Sequence, residues 1–234
     1  MNKPLLFLLH FAGGNSYSFQ FMRPQLSDFE VIVLELPGRG RRFRENLLTD
    51  FNAAALDIYE QMTARLNSSP FLIYGHSMGA YLALRICNLL ESNGKFPECI
   101  IVSGNAGPGI NNKKQLHLME NKMFIEEVQK LGGVPDDFSE NEELLDLFEP
   151  ILRADFKIAE CNQLELEPAV RAPLFAVMGS MEEEVEQIEN WARFTRSQFQ
   201  YEILEGDHFF IHKHPKRMAE IIKYSYNHHK QTVE

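Results

Sequence analysis

Ser77 lies at the centre of Gly75-His76-Ser77-Met78-Gly79, between the apolar run Phe71-Leu72-Ile73-Tyr74 and a stretch beginning Ala80-Tyr81-Leu82-Ala83-Leu84. A G-x-S-x-G pattern on a strand–turn–helix lifts the serine hydroxyl clear of a sheet, and the flanking glycines let the backbone pass closely. The helix half is legible in Ala80, Ala83, Leu84 and Cys87, which recur at i, i+3, i+4 and i+7. A serine hydroxyl is a poor nucleophile. It needs an adjacent base, itself oriented by a third group.

In enzymes that carry a serine on such a turn, an acid and then a histidine follow it along the chain. His208, in Glu205-Gly206-Asp207-His208-Phe209-Phe210, comes directly after the last apolar run and is the candidate base. His212 and His214 follow but read as surface residues; as a metal pair they would need a third ligand, and none is evident. The candidate acid belongs in Gly179-Ser180-Met181-Glu182-Glu183-Glu184-Val185, where three glutamates compete and no aspartate occurs. Glu182 has the best position, and Glu183 and Glu184 read as solvated charge. The developing oxyanion needs backbone N–H donors. Met78, after the nucleophile, supplies one, and Ala12 in His10-Phe11-Ala12-Gly13-Gly14-Asn15 is the candidate for the other. Taken alone, Gly13-Gly14 reads equally as a plain tight turn. Neither G-x-G-x-x-G nor a P-loop lysine is present.

These residues need a scaffold. Short β-rich runs fall at 5–11, 31–36, 71–74, 99–103, 174–178 and 201–204. Their near-continuous apolarity fits strands buried on both faces, as in a parallel sheet covered by helices. Amphipathic stretches at 51–66 and 80–91 alternate with them, which predicts a doubly wound α/β domain. Residues 107–172 break the alternation. They hold two helical patterns, 115–131 ended by Gly132-Gly133 and 141–161, with no clear strand. An insertion that long usually serves as a lid or binding element, the alternative being helical decoration packed on the sheet. The whole chain, 1–234, reads as one domain, with a frayed tail from Tyr226 to Glu234.

A net charge of -10 argues against nucleic acid as a partner. No apolar stretch reaches membrane-spanning length, and the leading Leu5-Leu6-Phe7-Leu8-Leu9 reads as a first strand, since no small-residue cleavage site follows it. Three widely spaced cysteines make neither a disulfide framework nor a metal site and suit a reducing cytosol, so a cytoplasmic location is expected. The default oligomeric expectation is a monomer.

Several blocks together resemble the type II thioesterases of nonribosomal peptide and polyketide synthesis, and the likeness covers nearly the whole chain. They are Phe11-Ala12-Gly13-Gly14, Leu36-Pro37-Gly38-Arg39-Gly40-Arg41-Arg42-Phe43-Arg44-Glu45 and the serine motif with Ala80. Leu131-Gly132-Gly133-Val134-Pro135, Leu152-Arg153-Ala154-Asp155-Phe156 and Gly206-Asp207-His208-Phe209-Phe210 follow in order. The serine motif is generic; the Pro-Gly-Arg and Arg-Ala-Asp-Phe blocks are far more particular. The resemblance implies an α/β-hydrolase fold with a mostly parallel sheet and a helical lid at about 107–172. It also implies hydrolysis of acyl or peptidyl thioesters from the phosphopantetheine arm of carrier proteins, with no other cofactor.

The chain departs from the family in having Glu182 for the usual aspartate and Gly206-Asp207-His208 for the common Gly-Gly-His. It also lacks an arginine after Ser103-Gly104. Carrier proteins tend to be acidic, as this chain is, so docking calls for a local basic patch. Arg39, Arg41, Arg42 and Arg44 form the densest one, with internal ion pairs or simple solvation as the alternative. Met119, Met123, Phe124, Leu144, Phe148 and Phe156 could line an acyl chamber or merely pack a core. Two other functions stay open: a general acyl-CoA thioesterase or carboxylesterase, and a catalytically degraded module that binds acyl carriers.

Overall fold

Strands that bury both faces must lie inside a layered structure, and four of the six do so. The computed structural model describes residues 3–110, 114–134 and 142–232. Met1, Asn2, Pro135, Asn141, Val233 and Glu234, which entered the sequence reading, lie outside the described residues. The strands are β1 (Leu5–Leu9), β2 (Glu30–Leu34), β3 (Phe71–His76), β4 (Cys99–Ser103), β5 (Leu174–Gly179) and β6 (Phe199–Leu204). They form one sheet in the order β2-β1-β3-β4-β5-β6, with every pairing parallel. β1 stops short of the expected 5–11 because residues 11–14 form a tight turn closed by Gly14 N–H on the Phe11 carbonyl. β6, at the sheet edge, exposes Tyr201 and Ile203.

Helices α1 (Phe51–Thr63) and α2 (Met78–Ser92) cover one face. The Asp50 side chain caps α1 by accepting the Ala53 N–H. The other face packs on Phe19, Met22, Leu26 and a helix near the carboxyl end of the chain, α5 (Pro215–Thr232). That helix corrects the expectation of a frayed tail. Met218, Ile221 and Ile222 are fully buried, each stabilising by about 1.5–3 kcal/mol relative to exposure. Further on, the Tyr226 ring meets Phe29 at 5.7 Å and His228 stacks on Tyr224.

Between β4 and β5 the described elements are all helical: a 3-10 turn (Leu116–Leu118), α3 (Asn121–Lys130), α4 (Glu142–Glu160) and a second 3-10 turn (Leu164–Leu166). Leu116, Phe124, Ile125, Val128 and Leu152 make a small core of their own, separate from the two that flank the sheet. A 3-10 helix, Val185–Phe194, then lies between β5 and β6 and buries Ile188, Trp191 and Phe194. Cys87 and Cys99 are buried and Cys161 is exposed, all as free thiols. Among the described residues, no helix is long and apolar enough to cross a membrane.

Candidate active site

Parallel pairing brings the carboxyl ends of the strands to one edge of the sheet, and the turns after β1 and β3 become neighbours there. Leu9 pairs with Gly75, so the 11–14 turn lies beside Ser77 at the point where the strand order reverses. Ser77 has φ +56° and ψ −116° and is the sole non-glycine with positive φ among the described residues. Such a backbone costs about 1–3 kcal/mol and persists only where its surroundings over-determine it. Here they do. Ser77 N–H donates to the Ser103 carbonyl at 2.7 Å, and Asn105 Nδ2 donates to the Ser77 carbonyl at 2.9 Å. A Cβ on Gly75 would come within 2.0 Å of the Gly79 carbonyl oxygen, and one on Gly79 within 2.3 Å of the Leu9 oxygen. The turn therefore requires both glycines.

The base and acid arrive on adjacent strands. β5 and β6 pair as far as Gly179–Leu204, and their loops continue side by side through Ser180 N–H on the Leu204 carbonyl and Met181 N–H on Gly206. Glu182 Oε2 lies 2.9 Å from His208 Nδ1, and His208 Nε2 lies 3.0 Å from Ser77 Oγ. The second carboxylate oxygen, Oε1, accepts the Gly179 N–H at 2.8 Å. A carboxylate on Nδ1 selects the tautomer that donates there and leaves Nε2 to accept from the serine. Glu183, by contrast, is 70% exposed and lies 3.6 Å from Lys114 Nζ. His212 stacks on Phe209, and His214 Nε2 donates to the Glu205 carbonyl; neither reaches the serine.

Opposite the serine, the 11–14 turn has Gly13 at φ +76° in its third position, the type II geometry that favours glycine. Gly13 N–H donates to Asp155 Oδ2 at 2.8 Å. The Ala12 N–H bonds to no group among the described residues. Met78, first residue of α2, has no intrahelical acceptor for its own N–H. His10 ties the turn to the loop after β2: its Nδ1–H donates to Phe11 O at 2.8 Å and its Nε2 accepts Leu36 N–H at 3.3 Å. Burial, helped by Arg39, lowers its pKa from 6.5 to about 4. His76, beneath the site with its ring 5.1 Å from that of His208, is driven well below 6.5 by burial and by His208 and His212.

The arginine patch needs correction. Arg39 is 4% exposed and binds Asp155 through both terminal nitrogens, Nη2 to Oδ1 at 2.8 Å and Nη1 to Oδ2. Arg42 pairs with Glu45 and Asp57 and also donates to the Glu35 carbonyl. Arg39 is thus a buried cation committed to a distant acid, and Arg42, part-exposed, is paired with Glu45 three residues on and with Asp57 on α1. Arg41 and Arg44 remain exposed, the latter over the Phe43 ring at 5.4 Å.

A cavity of about 360 Å³ opens at the serine, lined among others by Ser77, Met78, Tyr81, Leu116, Phe156 and His208. Of the six apolar candidates for its wall, Phe156 lines it. Phe124 packs edge-on against Phe156 at 5.6 Å, Met119 and Phe148 pack on the small helical core, and Met123 and Leu144 are exposed. Asp155 received no role from the sequence, yet a signal existed: Leu152, Asp155 and Ile158 share the spacing of one buried helix face, so an acid there demands a buried partner. Among the described residues, no cluster of three His, Cys, Asp or Glu side chains could hold a metal.

A parallel sheet, a serine on a strained strand–helix turn and a histidine–carboxylate pair from later strands define an α/β-hydrolase of the serine type. A thioesterase domain model matches residues 4–226. The chain is 32% identical over 227 residues to the protein named linear gramicidin dehydrogenase LgrE of Brevibacillus parabrevis, across 94% of this chain and 86% of that one. It is 30% identical to the gramicidin S biosynthesis protein GrsT of Aneurinibacillus migulanus, across 93% and 86% of the two chains. The solved type II thioesterase YbtT of the yersiniabactin NRPS/PKS pathway superposes with a TM-score of 0.89 at 30% identity, over 97% of this chain and 94% of that one. The chain belongs to the thioesterase family, and it is a serine thioester hydrolase.

Proposed function

We propose that this enzyme removes acyl or peptidyl groups from the phosphopantetheine arm of carrier proteins in nonribosomal peptide or polyketide synthesis, as an editing thioesterase. The observation that carries this reading is the relay of Glu182, His208 and Ser77, at 2.9 and 3.0 Å, opening on a chamber roofed by the helices between β4 and β5. We assign Ser77 as nucleophile. It attacks the thioester carbonyl while His208 Nε2 takes its proton; the Met78 and Ala12 amides hold the oxyanion, and the protonated phosphopantetheine thiol departs. Water activated by His208 then attacks the acyl-serine and releases the acid. Glu182 keeps the imidazole in the required tautomer and stabilises its charged form without taking the proton.

The chain works as one domain, with residues 107–172 as the lid, and needs no cofactor beyond the arm that carries its substrate. With Arg39 and Arg42 committed internally, Arg41 and Arg44 are the cations left to meet an acidic carrier. The test is hydrolysis of one acyl group presented on a carrier protein, on coenzyme A and as a p-nitrophenyl ester. The carrier substrate is expected to show the highest kcat/KM, and Arg41→Glu with Arg44→Glu to lower that value about 5- to 20-fold while sparing the small ester. Equal kcat/KM for carrier and coenzyme A would favour a general acyl-CoA thioesterase instead.

A further inference from the structure

Asp155 is fully buried and does three things at once. One oxygen accepts the Gly13 N–H at 2.8 Å, both oxygens hold the Arg39 guanidinium, and the residue belongs to α4, within the lid segment. The same helix clamps the turn from a second position, since a Cβ on Gly13 would come within 2.7 Å of Leu152 Cδ2. It reaches the lid as well: Arg153 Nη1 donates to the His117 and Met119 carbonyls at 2.8 and 2.9 Å, and Arg153 lies over the Phe124 ring at 4.4 Å. Three consecutive functions thus fall on one stretch of α4. Arg153 holds the lid turn, Asp155 holds the 11–14 turn, and Phe156 lines the chamber.

A type II turn leaves two central amides to be placed, those of Ala12 and Gly13. The Ala12–Gly13 peptide is the pivot of the turn, and the Asp155 carboxylate fixes its plane by taking the Gly13 N–H. The Ala12 N–H belongs to the preceding Phe11–Ala12 peptide, whose carbonyl accepts the Gly14 and His10 Nδ1 protons. Gripping the Ala12–Gly13 plane on the other side of the Ala12 Cα therefore restricts the rotation left to the Ala12 amide near Ser77. Buried ion pairs are weak stabilisers, because desolvation offsets their attraction, so a pair kept in a core is retained for geometry as readily as for stability. We propose that Asp155, neutralised and gripped by Arg39, is a positioning residue for the oxyanion hole, coupling α4 of the lid to the transition state through the Gly13 N–H. The proposal rests on Ala12 being an oxyanion donor. Arg39 supplies the charge balance that lets a carboxylate sit there at all, and a carboxylate is the stronger acceptor for the N–H.

The experiment compares two double variants, because removing one partner alone would strand a buried charge. Arg39→Met with Asp155→Leu removes both the pair and the acceptor, whereas Arg39→Met with Asp155→Asn keeps a neutral acceptor for the Gly13 N–H. In single-turnover acylation, the first is expected to lose about 10- to 100-fold in rate with KM nearly unchanged, as a small misplacement of a catalytic donor would. Its affinity for a trifluoromethyl ketone, which forms a tetrahedral adduct on the serine, should fall in parallel. The second should recover most of both losses. Wild-type acylation in the Met/Leu variant would overturn the proposal. So would equal losses in the two, which would place the effect in the packing of α4. Ala12→Pro separates the underlying assignment: proline suits the second position of a type II turn while deleting the N–H, and about 10²- to 10³-fold slower acylation is expected. Intact acylation in Ala12→Pro would remove Ala12 from the oxyanion hole, whatever holds Gly13. Should a double variant not fold, amide exchange in the wild type decides. A protected Gly13 amide beside a fast-exchanging Ala12 amide that slows on adduct formation is expected, and a freely exchanging Gly13 would contradict the proposal.

Discussion

The two sides of the cleft are built differently. On the nucleophile side, Ser77 is set by main-chain packing: its N–H on the Ser103 carbonyl, its neighbours Gly75 and Gly79 pressed against carbonyl groups of Gly79 and Leu9. On the oxyanion side, the 11–14 turn is set largely by side chains, His10 from β1's end and Asp155 and Leu152 from a helix more than a hundred residues away. Backbone packing resists substitution nearly absolutely, because neither partner can rotate away. Side-chain packing can be loosened by degrees and, through α4, can respond to the lid. One wall is a fixture; the other is adjustable.

The contrast is broken most directly by adding one methyl group to each wall. Gly79→Ala would meet the Leu9 carbonyl oxygen at 2.3 Å and the His10 oxygen at 2.8 Å, so a loss of about 5 kcal/mol or more, leaving no folded protein, is expected in denaturant titration. Gly13→Ala meets a leucine side chain at 2.7 Å and a positive φ, which together should cost about 1–3 kcal/mol and leave a folded, slower enzyme. A Gly13→Ala variant less stable than Gly79→Ala would erase the distinction. Next in size is Glu182→Gln, which disturbs neither wall. It should lower kcat by about 10³- to 10⁴-fold in steady-state assays with thermal stability nearly kept, since the amide no longer selects the tautomer. Should Glu183→Gln do this and Glu182→Gln not, the acid is misassigned by one residue.

Acid should loosen both walls together. His10 and His76 are buried as neutral imidazoles, so between pH 6.5 and about 4 the unfolded chain takes up protons that the folded chain does not. Stability is therefore full above pH 6.5 and falls as the pH drops towards 4. His10 alone accounts for about 3 kcal/mol of that loss. Urea unfolding at pH 7.0, 5.5 and 4.5 measures it; a flat profile would contradict the buried neutral assignment. The smallest effect belongs to the lid. Arg153→Met removes the hydrogen bonds to the His117 and Met119 carbonyls, together with those to Glu149 and Asn121, and should cost about 1–2 kcal/mol of stability, with KM changed more than kcat.

What the sequence disclosed follows the same divide. The serine turn, His208 and the glutamate loop were legible because each depends on spacing within a few residues, on a strand end that apolar runs reveal. The Arg39–Asp155 contact was not, because it joins residues 116 apart and a cluster of arginines reads from sequence as surface charge. Periodicity misled or was missed in two places. Val185, Ile188, Trp191 and Phe194 recur every third residue, the spacing of a 3-10 helix whose i and i+3 side chains eclipse, and neither strand nor α-helix patterns register it. The buried face of Met218, Ile221 and Ile222 anchors α5 before Tyr226, and Tyr226 on Phe29 with His228 on Tyr224 holds side chains of the stretch where a polar tail suggested fraying.

The most direct test of the catalytic assignment is rapid-quench mass spectrometry of the enzyme mixed with a carrier-bound acyl thioester. A burst of free phosphopantetheine thiol should accompany one acyl adduct on the peptide that contains Ser77, and Ser77→Ala should show neither. Thiol release at the wild-type rate in Ser77→Ala, or an adduct on any other residue, would contradict the account.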